Sequence, residues 1–494
     1  MCRLYLFLIC IMGTAFEIMD AEILKNKNMK KLWPCLILLM NSVFAQNLGF
    51  NGAGFFENYD ADVEQYLIDM HQPFTLRVPG GAISKFHDPA NVKKGWGMTE
   101  ASVKGWFEKT GFDEDGNGLD KWLRKTSDQP NHSYLDDLIS LQKKFPEMTV
   151  LYVLNVLNST PEANMEAIRY LMKNGVKVTG VEAGNEVYGK YASFQEYVND
   201  FEPIFKQLDK EYPQIKKGIV AGANLQRKEF IKWNNEIASY KGDYDAVIMH
   251  FYYTQKDLSE AYDMIQLRSA SSTDYNANLD KGFRKAAELM LSKKMFEEGI
   301  AYCKDKFPGK AIWVTEWNTK PSNVLNNTIV NGAWQFKTMV ENRNQVEYLL
   351  VHNGVSPDIY GMITRKNKYD NVNEEMVRRV GYWSYILASE VTDPIRLSKS
   401  ESVKLQVDDD GEVCYYFTNL DDAYNMKIET GNYKIASITI HYVNGNYLYS
   451  SAGIAGYMGK GTKPNYEVKG IKVEDYKGII PKNSFGYISV KLAK

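Results

Sequence analysis

The chain reads as an α/β protein, a (β/α)8 TIM barrel followed by a C-terminal antiparallel β-sandwich, and three observations lead there. Eight short apolar runs alternate with amphipathic helical patterns from residue 47 to about 390, as expected of βαβ units around a parallel sheet. Two of these runs open onto a glutamate, Glu186 and Glu316, at the strand end where a parallel barrel keeps its chemistry. From about residue 396 the runs become short and alternating, punctuated by Asp-Gly and Asn-Gly. That is the pattern of antiparallel β.

Residues 1–45 are expected to be a leader. Within them, Met29-Lys30-Lys31 gives a positive start, Leu32 to Met40 an apolar middle, and Val43-Phe44-Ala45 a cleavage point before Gln46; together these predict a secretory signal at 29–45. Residues 1–28 then read as an upstream extension of the frame. An apolar stretch of about 13 residues is too short to span a hydrocarbon layer of about 30 Å. The expectation is an exported protein, periplasmic, cell-surface or extracellular, with no stable membrane span once the leader is removed.

The barrel is expected over 46–395. Its candidate strands are Leu48–Phe55, Phe74–Val78, Thr149–Leu157, Val178–Ala183, Gly218–Ala223, Ala246–Phe251, Ala311–Thr315 and Val346–Val351. Helix starts are marked between them: Ser133 precedes an apolar stripe, and Thr160-Pro161-Glu162 sets a cap, a proline and an acid in order. Asn199–Leu208 and Asn331–Val340 carry further stripes at helical spacing. Two connections exceed ordinary loop length, 82–132 with Trp96, Trp106 and Trp122, and 254–310. Insertions after barrel strands lie over the C-terminal face, so both are expected to wall a cleft. Residues 396–494 form the β-sandwich, with hairpin turns expected at Asp410-Gly411 and Asn444-Gly445.

Composition narrows the partners. The 59 basic and 61 acidic residues leave a net charge of −2 with no like-charge block, which gives no basis for nucleic acid or an anionic membrane as partner. The 33 Tyr and 9 Trp are faces on which sugar rings can stack, although most such rings belong to cores. Beyond the leader only Cys303 and Cys414 remain; without metal-type spacing they read as buried thiols or, less simply, as one disulfide.

The chemistry rests on the two glutamates, in Val181-Glu182-Ala183-Gly184-Asn185-Glu186 and in Ala311-Ile312-Trp313-Val314-Thr315-Glu316-Trp317-Asn318. Two carboxyl groups facing one sugar ring are what glycoside hydrolysis requires, about 5–5.5 Å apart in a retaining mechanism. Asn185 beside the acid suits a hydrogen bond to a sugar hydroxyl. The acid needs a raised pKa and the nucleophile a low one, so donors are expected around Glu316. Arg77, in Leu76-Arg77-Val78-Pro79-Gly80-Gly81, and His250 and Tyr252, in Met249-His250-Phe251-Tyr252-Tyr253, are the candidates. The plain alternatives are glutamates that cap strands or pair with lysines, a structural ion pair for Arg77 and a satisfied core histidine for His250.

Those strand-end motifs resemble the clan A retaining glycoside hydrolases, the arabinofuranosidases of family 51 first and the xylosidases of family 39 close behind. The resemblance covers about 47–390 and implies Glu186 as acid/base, Glu316 as nucleophile, Tyr252 as the phenol orienting it and Asn185 as a sugar contact. It extends to Glu57, in Gly54-Phe55-Phe56-Glu57, as a sugar-gripping carboxylate; Trp317 is taken as a further substrate contact. Arabinofuranosidases carry Asn or Cys after the Pro-Gly-Gly turn where this chain has Ala82, so the resemblance is to the clan. What it implies is a secreted retaining glycosidase acting on a plant or algal polysaccharide, with a carbohydrate substrate and no cofactor or metal. The alternatives are a non-catalytic carbohydrate-binding protein on the same scaffold and an adhesive surface protein, which would call for repeats that are not seen. Asp113-Glu114-Asp115-Gly116-Asn117-Gly118 matches the first half of a calcium loop, but Arg124 stands where the closing Glu belongs. It reads as a polar turn.

Overall fold

The eight apolar runs form eight parallel strands, β1 (Leu48–Asn51), β2 (Thr75–Val78), β3 (Thr149–Val153), β4 (Val178–Glu182), β5 (Lys216–Val220), β6 (Ala246–Tyr253), β7 (Ala311–Thr319) and β8 (Tyr348–Val351). They pair in chain order and β8 pairs back onto β1, closing the barrel. The computed structural model describes residues 48–493 except 53–54, 57–58, 90–93, 112–117, 130, 223–224, 226, 255, 267–271, 293, 321–324, 327, 357–360, 366–375, 392, 407–410 and 446–469. The leader with its candidate signal, Glu57 and residues 113–117 of the acidic turn therefore lie outside the described residues.

Strand lengths depart from the apolar runs in both directions. β1 ends at Asn51 because Gly52 turns the chain, its carbonyl accepting from the Phe55 N–H. β6 and β7 run on past their apolar stretches, paired from His250↔Glu316 to Tyr253↔Thr319, so the ladder keeps polar residues extended. The helix signals hold. Thr160 accepts from the Ala163 N–H and Pro161 opens the helix Pro161–Lys173, while Ser133 caps Tyr134–Lys144. The two sequence stripes lie within the longer helices Phe194–Glu211 and Ile329–Asn342.

The lumen is filled from β7. The Trp313 ring reaches across to β4 and β5, where a Cβ on Gly180 or Gly218 would come within 2.8 and 2.5 Å of it; glycine at both positions admits the indole. Above Trp313 the β6–β7 ladder slips, Met249↔Val314 being followed by His250↔Glu316. The extra residue is Thr315, a bulge that re-aims the residues after it. Trp313 and the Thr315 hydroxyl face inward, and the slip turns Glu316 inward as well.

Beyond the barrel, a five-stranded sheet takes the order Ile395–Arg396, Glu412–Asn419, Ser484–Leu492, Ile435–Asn444, Lys472–Asp475. Its pairs are antiparallel except the first. Two-stranded pairs, Ser402–Lys404 with Lys427–Glu429 and Tyr424–Asn425 with Ile479–Ile480, make a further layer. Strand alternation serves both faces. Tyr415, Phe417, Ile440 and Ile488 join Leu405, Met426 and Ile428 in a separate apolar cluster, whereas Tyr416, Val443 and Phe485 belong to the main core. There Phe485 packs on Phe336 of the helix Ile329–Asn342, ring centres 5.7 Å apart. Barrel and sheets form one compact unit. Asn444-Gly445 does not make the expected tight hairpin: Tyr442, two residues before the turn, pairs with Lys472 on one side and Gly486 on the other. Cys303 and Cys414 are free thiols. Among the described residues no helix is long and apolar enough to cross a membrane.

Candidate active site

The C-terminal ends of β1, β2, β4, β6, β7 and β8 bring their polar side chains to one opening. At its centre is Arg77, fully buried on β2. Its Nε donates to both oxygens of Glu182 at 2.9 Å, and Nη2 donates to Glu182 Oε2 at 2.7 Å and Asn185 Oδ1 at 2.8 Å. Nη1 donates to Glu316 Oε1 at 2.6 Å. A guanidinium offers its donors in a fixed planar fork, so this one group sets β2, β4 and β7 in register at the mouth. Burial opposes its charge, but the carboxylates of Glu182 and Glu316 more than offset that and raise its pKa.

Glu316 is held on both oxygens. Oε1 also accepts from Asn51 Nδ2 at 3.0 Å, and Oε2 accepts from the Tyr252 hydroxyl at 2.8 Å. His250 Nδ1 and His352 Nδ1 each lie 3.7 Å from Oε2. Burial pushes this carboxyl up, yet the charges of His250, His352 and Arg77, with the Tyr252 hydrogen bond, hold it well below the ordinary carboxylate range. The expectation of donors around Glu316 is met by Arg77 and Tyr252.

Glu186 sits differently. It follows the turn at Gly184 (φ 90°) and is itself held at φ 49°, the left-handed region that costs a non-glycine residue about 1–3 kcal/mol and recurs at functional sites. Oε1 lies 3.2 Å from His250 Nδ1, and Oε2 lies 3.9 Å from Lys85 Nζ. His250 Nε2 is in turn 3.2 Å from the Thr315 hydroxyl. Burial and the Glu316 charge push the Glu186 carboxyl up, whereas the hydrogen bond and charge of His250, with Lys85, bring it down to about 2. The sequence led us to expect the opposite direction. The cause is the hydrogen bond and charge of His250, which outweigh the upward push of burial and the Glu316 anion.

Donor atoms of Glu186, His250 and Glu316 all lie within 4.8 Å of one another. Their types would suit a metal ion. The Arg77 guanidinium already on Glu316 would repel one, and both Glu316 oxygens accept hydrogen bonds, so the cluster fits proton exchange better.

Arg77, Asn185, Glu186, His250, Tyr252 and Glu316 thus come together as the motifs suggested. Trp317 does not. It is fully buried outside the barrel, edge-on to Phe296 and Trp334 at 5.5 and 5.4 Å, because the bulge at Thr315 sends the residue after Glu316 to the helix side. Of the insertion tryptophans, Trp96 is core against Tyr134 and Phe56, and Trp122 packs on Phe86; Trp106 reaches a recess beside Asn185. Sequence reasoning missed Asn51, Glu182, His352, Lys85 and Tyr188. Burial and the charges of Glu186 and Glu316 raise the Tyr188 hydroxyl. Glu182 was the legible one: a carboxylate inside an apolar strand needs a buried partner, and Arg77 stands inside another.

No protein-family model and no curated protein matches the chain. Solved structures do match in fold. An α-L-arabinofuranosidase from Thermotoga maritima, in its arabinose complex, superposes with a TM-score of 0.54 at 14% identity, covering 87% of this chain and 90% of its own. The family 51 arabinofuranosidase from Xanthomonas axonopodis pv. citri gives 0.54 at 13% identity, covering 92% and 96%. A 4-O-α-L-rhamnosyl-β-D-glucuronidase from Fusarium oxysporum 12S gives 0.52 at 12%, covering 91% and 96%. The likeness spans the barrel and the C-terminal sheets together.

Proposed function

We propose that the chain is an exported retaining glycoside hydrolase that cleaves a plant or algal polysaccharide, or an oligosaccharide from one. The observation that carries this is the pair of carboxyl groups, Glu186 and Glu316, with oxygens within 4.8 Å of one another at the barrel mouth. One oxygen of each lying that close supports the short spacing of a double displacement, about 5–5.5 Å between carboxyl groups, over the inverting spacing of about 6.5–9.5 Å that admits a water. The structural neighbours named as glycosidases support the same reading, and the candidate signal at 29–45 supports export.

Glu316, kept ionised by its donors, attacks the anomeric carbon as the bond to the leaving oxygen breaks. Glu186 gives that oxygen its proton. A water, deprotonated by Glu186, then displaces Glu316 from the sugar and restores both groups. At rest Glu186 is ionised, so the proton it gives reaches it first from solvent or from a neighbouring group. His250 Nδ1, 3.2 Å away, is placed to hand it over. The Glu186 side chain is about a third exposed; a bound sugar that seals it from water adds to the burial that raises its pKa and favours the protonated acid. In the covalent intermediate Glu316 carries no charge, which removes one upward influence on Glu186 and suits it to act as base.

A barrel that only binds sugar would have no use for a carboxylate desolvated and held by three donors. The test is a panel of aryl glycosides and plant and algal polysaccharides, with the product anomer followed by proton NMR. Retention is expected. Inversion, or no turnover across the panel, overturns the reading.

A further inference from the structure

Past the rim of the barrel the β6–β7 ladder continues, and the Lys320 N–H donates to the Tyr253 carbonyl at 2.6 Å. That bond ties the residue after β7 to the strand that carries Tyr252. Lys320 is exposed, and its Nζ lies 4.5 Å from the centre of the Tyr252 ring, within the range at which an aromatic face holds a cation. Among the described residues no carboxylate pairs with this ammonium. His352 stands edge-on to the same ring at 5.9 Å, with an interplanar angle of 77°. The Tyr252 hydroxyl donates to Glu316 Oε2 at 2.8 Å. A line of contacts thus runs from Lys320 through the phenol to Glu316, and both of its ends belong to one stretch of chain at the close of β7.

We infer that Lys320 is a positioning residue for Glu316: its ammonium covers the Tyr252 ring and polarises the phenol, so that the hydroxyl donates more strongly to the carboxylate. A positive charge beside the ring face draws electron density from the phenol oxygen into the ring. The more polarised O–H makes the better hydrogen bond to an anion. The part this plays in turnover rests on the hydrolase reading; the polarisation itself does not. When water displaces Glu316 from the sugar, negative charge returns to that carboxylate. A donor already aimed at it, and strengthened by the lysine, stabilises the charge as it develops.

Carbon NMR of the full chain labelled at the tyrosine Cζ reads the phenol without any substrate, with Tyr252→Phe to assign the signal. Lys320→Met keeps the apolar stem and removes the charge, so the Tyr252 signal should move upfield. In Lys320→Arg, which keeps the charge, it should stay near its wild-type place. On an aryl glycoside that the wild type cleaves, Lys320→Met should lower kcat about two- to five-fold, the worth of one cation–π contact at an exposed site, with no rise in KM. Lys320→Arg should restore the rate. In the Tyr252→Phe background, which keeps a ring under the cation but has no hydroxyl to strengthen, Lys320→Met should leave kcat nearly unchanged. An unmoved Cζ signal overturns the inference. So does an equal loss of kcat in both backgrounds, or a loss that appears as a higher KM, the mark of a direct substrate contact. If the signal moves as expected and no glycoside is hydrolysed, the hydrolase reading alone fails.

Discussion

Glu316 and Glu186 face the same opening and live in opposite surroundings. The Glu316 side chain is 5% exposed and accepts hydrogen bonds from Arg77, Asn51 and Tyr252. That of Glu186 is 32% exposed, beside His250, the Tyr188 hydroxyl and the more distant Lys85. The first arrangement fixes a charge: moving a proton onto Glu316 would strand buried donors. The second leaves the charge negotiable, since a single neighbour changing its protonation, or a ligand excluding water, shifts the balance. A nucleophile and a proton carrier call for that division, and one fold supplies it through strand ends alone.

The comparison breaks most visibly if the fixed anion is removed. Glu316→Gln should lower kcat by about 10⁴–10⁶-fold, with the thermal unfolding midpoint little changed because Arg77 keeps Glu182. Retained turnover would take Glu316 out of its role. The converse substitution probes what fixes it. Glu182→Gln removes the carboxylate that accepts three hydrogen bonds from the buried Arg77, where Glu316 accepts one, and should cost about 3 kcal/mol of stability, read from urea unfolding. A loss below about 1 kcal/mol would mean that Glu316 and Asn185 satisfy Arg77 unaided.

On the other side, Glu186→Ala should slow natural substrates by about 10²–10⁴-fold. Aryl glycosides with good leaving groups, which need little proton assistance, should be slowed much less. Equal losses on both would argue against an acid role and with it against the asymmetry drawn above.

How far the sequence reached follows the same physics. Glu186, Glu316, Arg77, His250 and Tyr252 were legible because polar residues at the ends of apolar runs have few places to go in a parallel barrel. Trp317 was misplaced because adjacency in sequence was read as adjacency in space. Only the β6–β7 slip shows that residue 316 faces in and 317 faces out. Asn51 and His352 each flank a short apolar run, and nothing local tells such a residue from an ordinary turn; it took closure of β8 onto β1 to set them 3.1 Å apart beside Glu316. The C-terminal layering was readable in outline, since alternation of period two survives in Tyr415, Tyr416 and Phe417. Its parallel pairs were not, because partner choice between short strands leaves no mark on either one.

Smaller changes sharpen the contrast between the two carboxyls. Tyr252→Phe removes one of the groups that lower the Glu316 pKa, so that pKa must rise. The acid limb of the kcat/KM profile, which reports Glu316 losing its proton, should move to higher pH, with about a 10–100-fold loss at the optimum for one hydrogen bond to a charged group. An unmoved limb would mean that the phenol only packs there.

His250→Asn acts on the other side and by the smallest measure, a titration shift. Burial and the Glu316 anion both raise the Glu186 carboxyl, and His250 supplies the largest downward influence, leaving it at about 2. Without the imidazole, Lys85 and the Tyr188 hydrogen bond stand against two upward influences, so the carboxyl should titrate clearly above its wild-type position. Carboxyl carbon NMR of glutamate-labelled protein, with Glu186→Gln to assign the signal, measures this without any substrate. The sign is what matters. An upward shift makes His250 the group that keeps Glu186 ionised at rest. No shift would place the histidine in the wall as a spectator, and Glu186 would have to draw its proton from solvent.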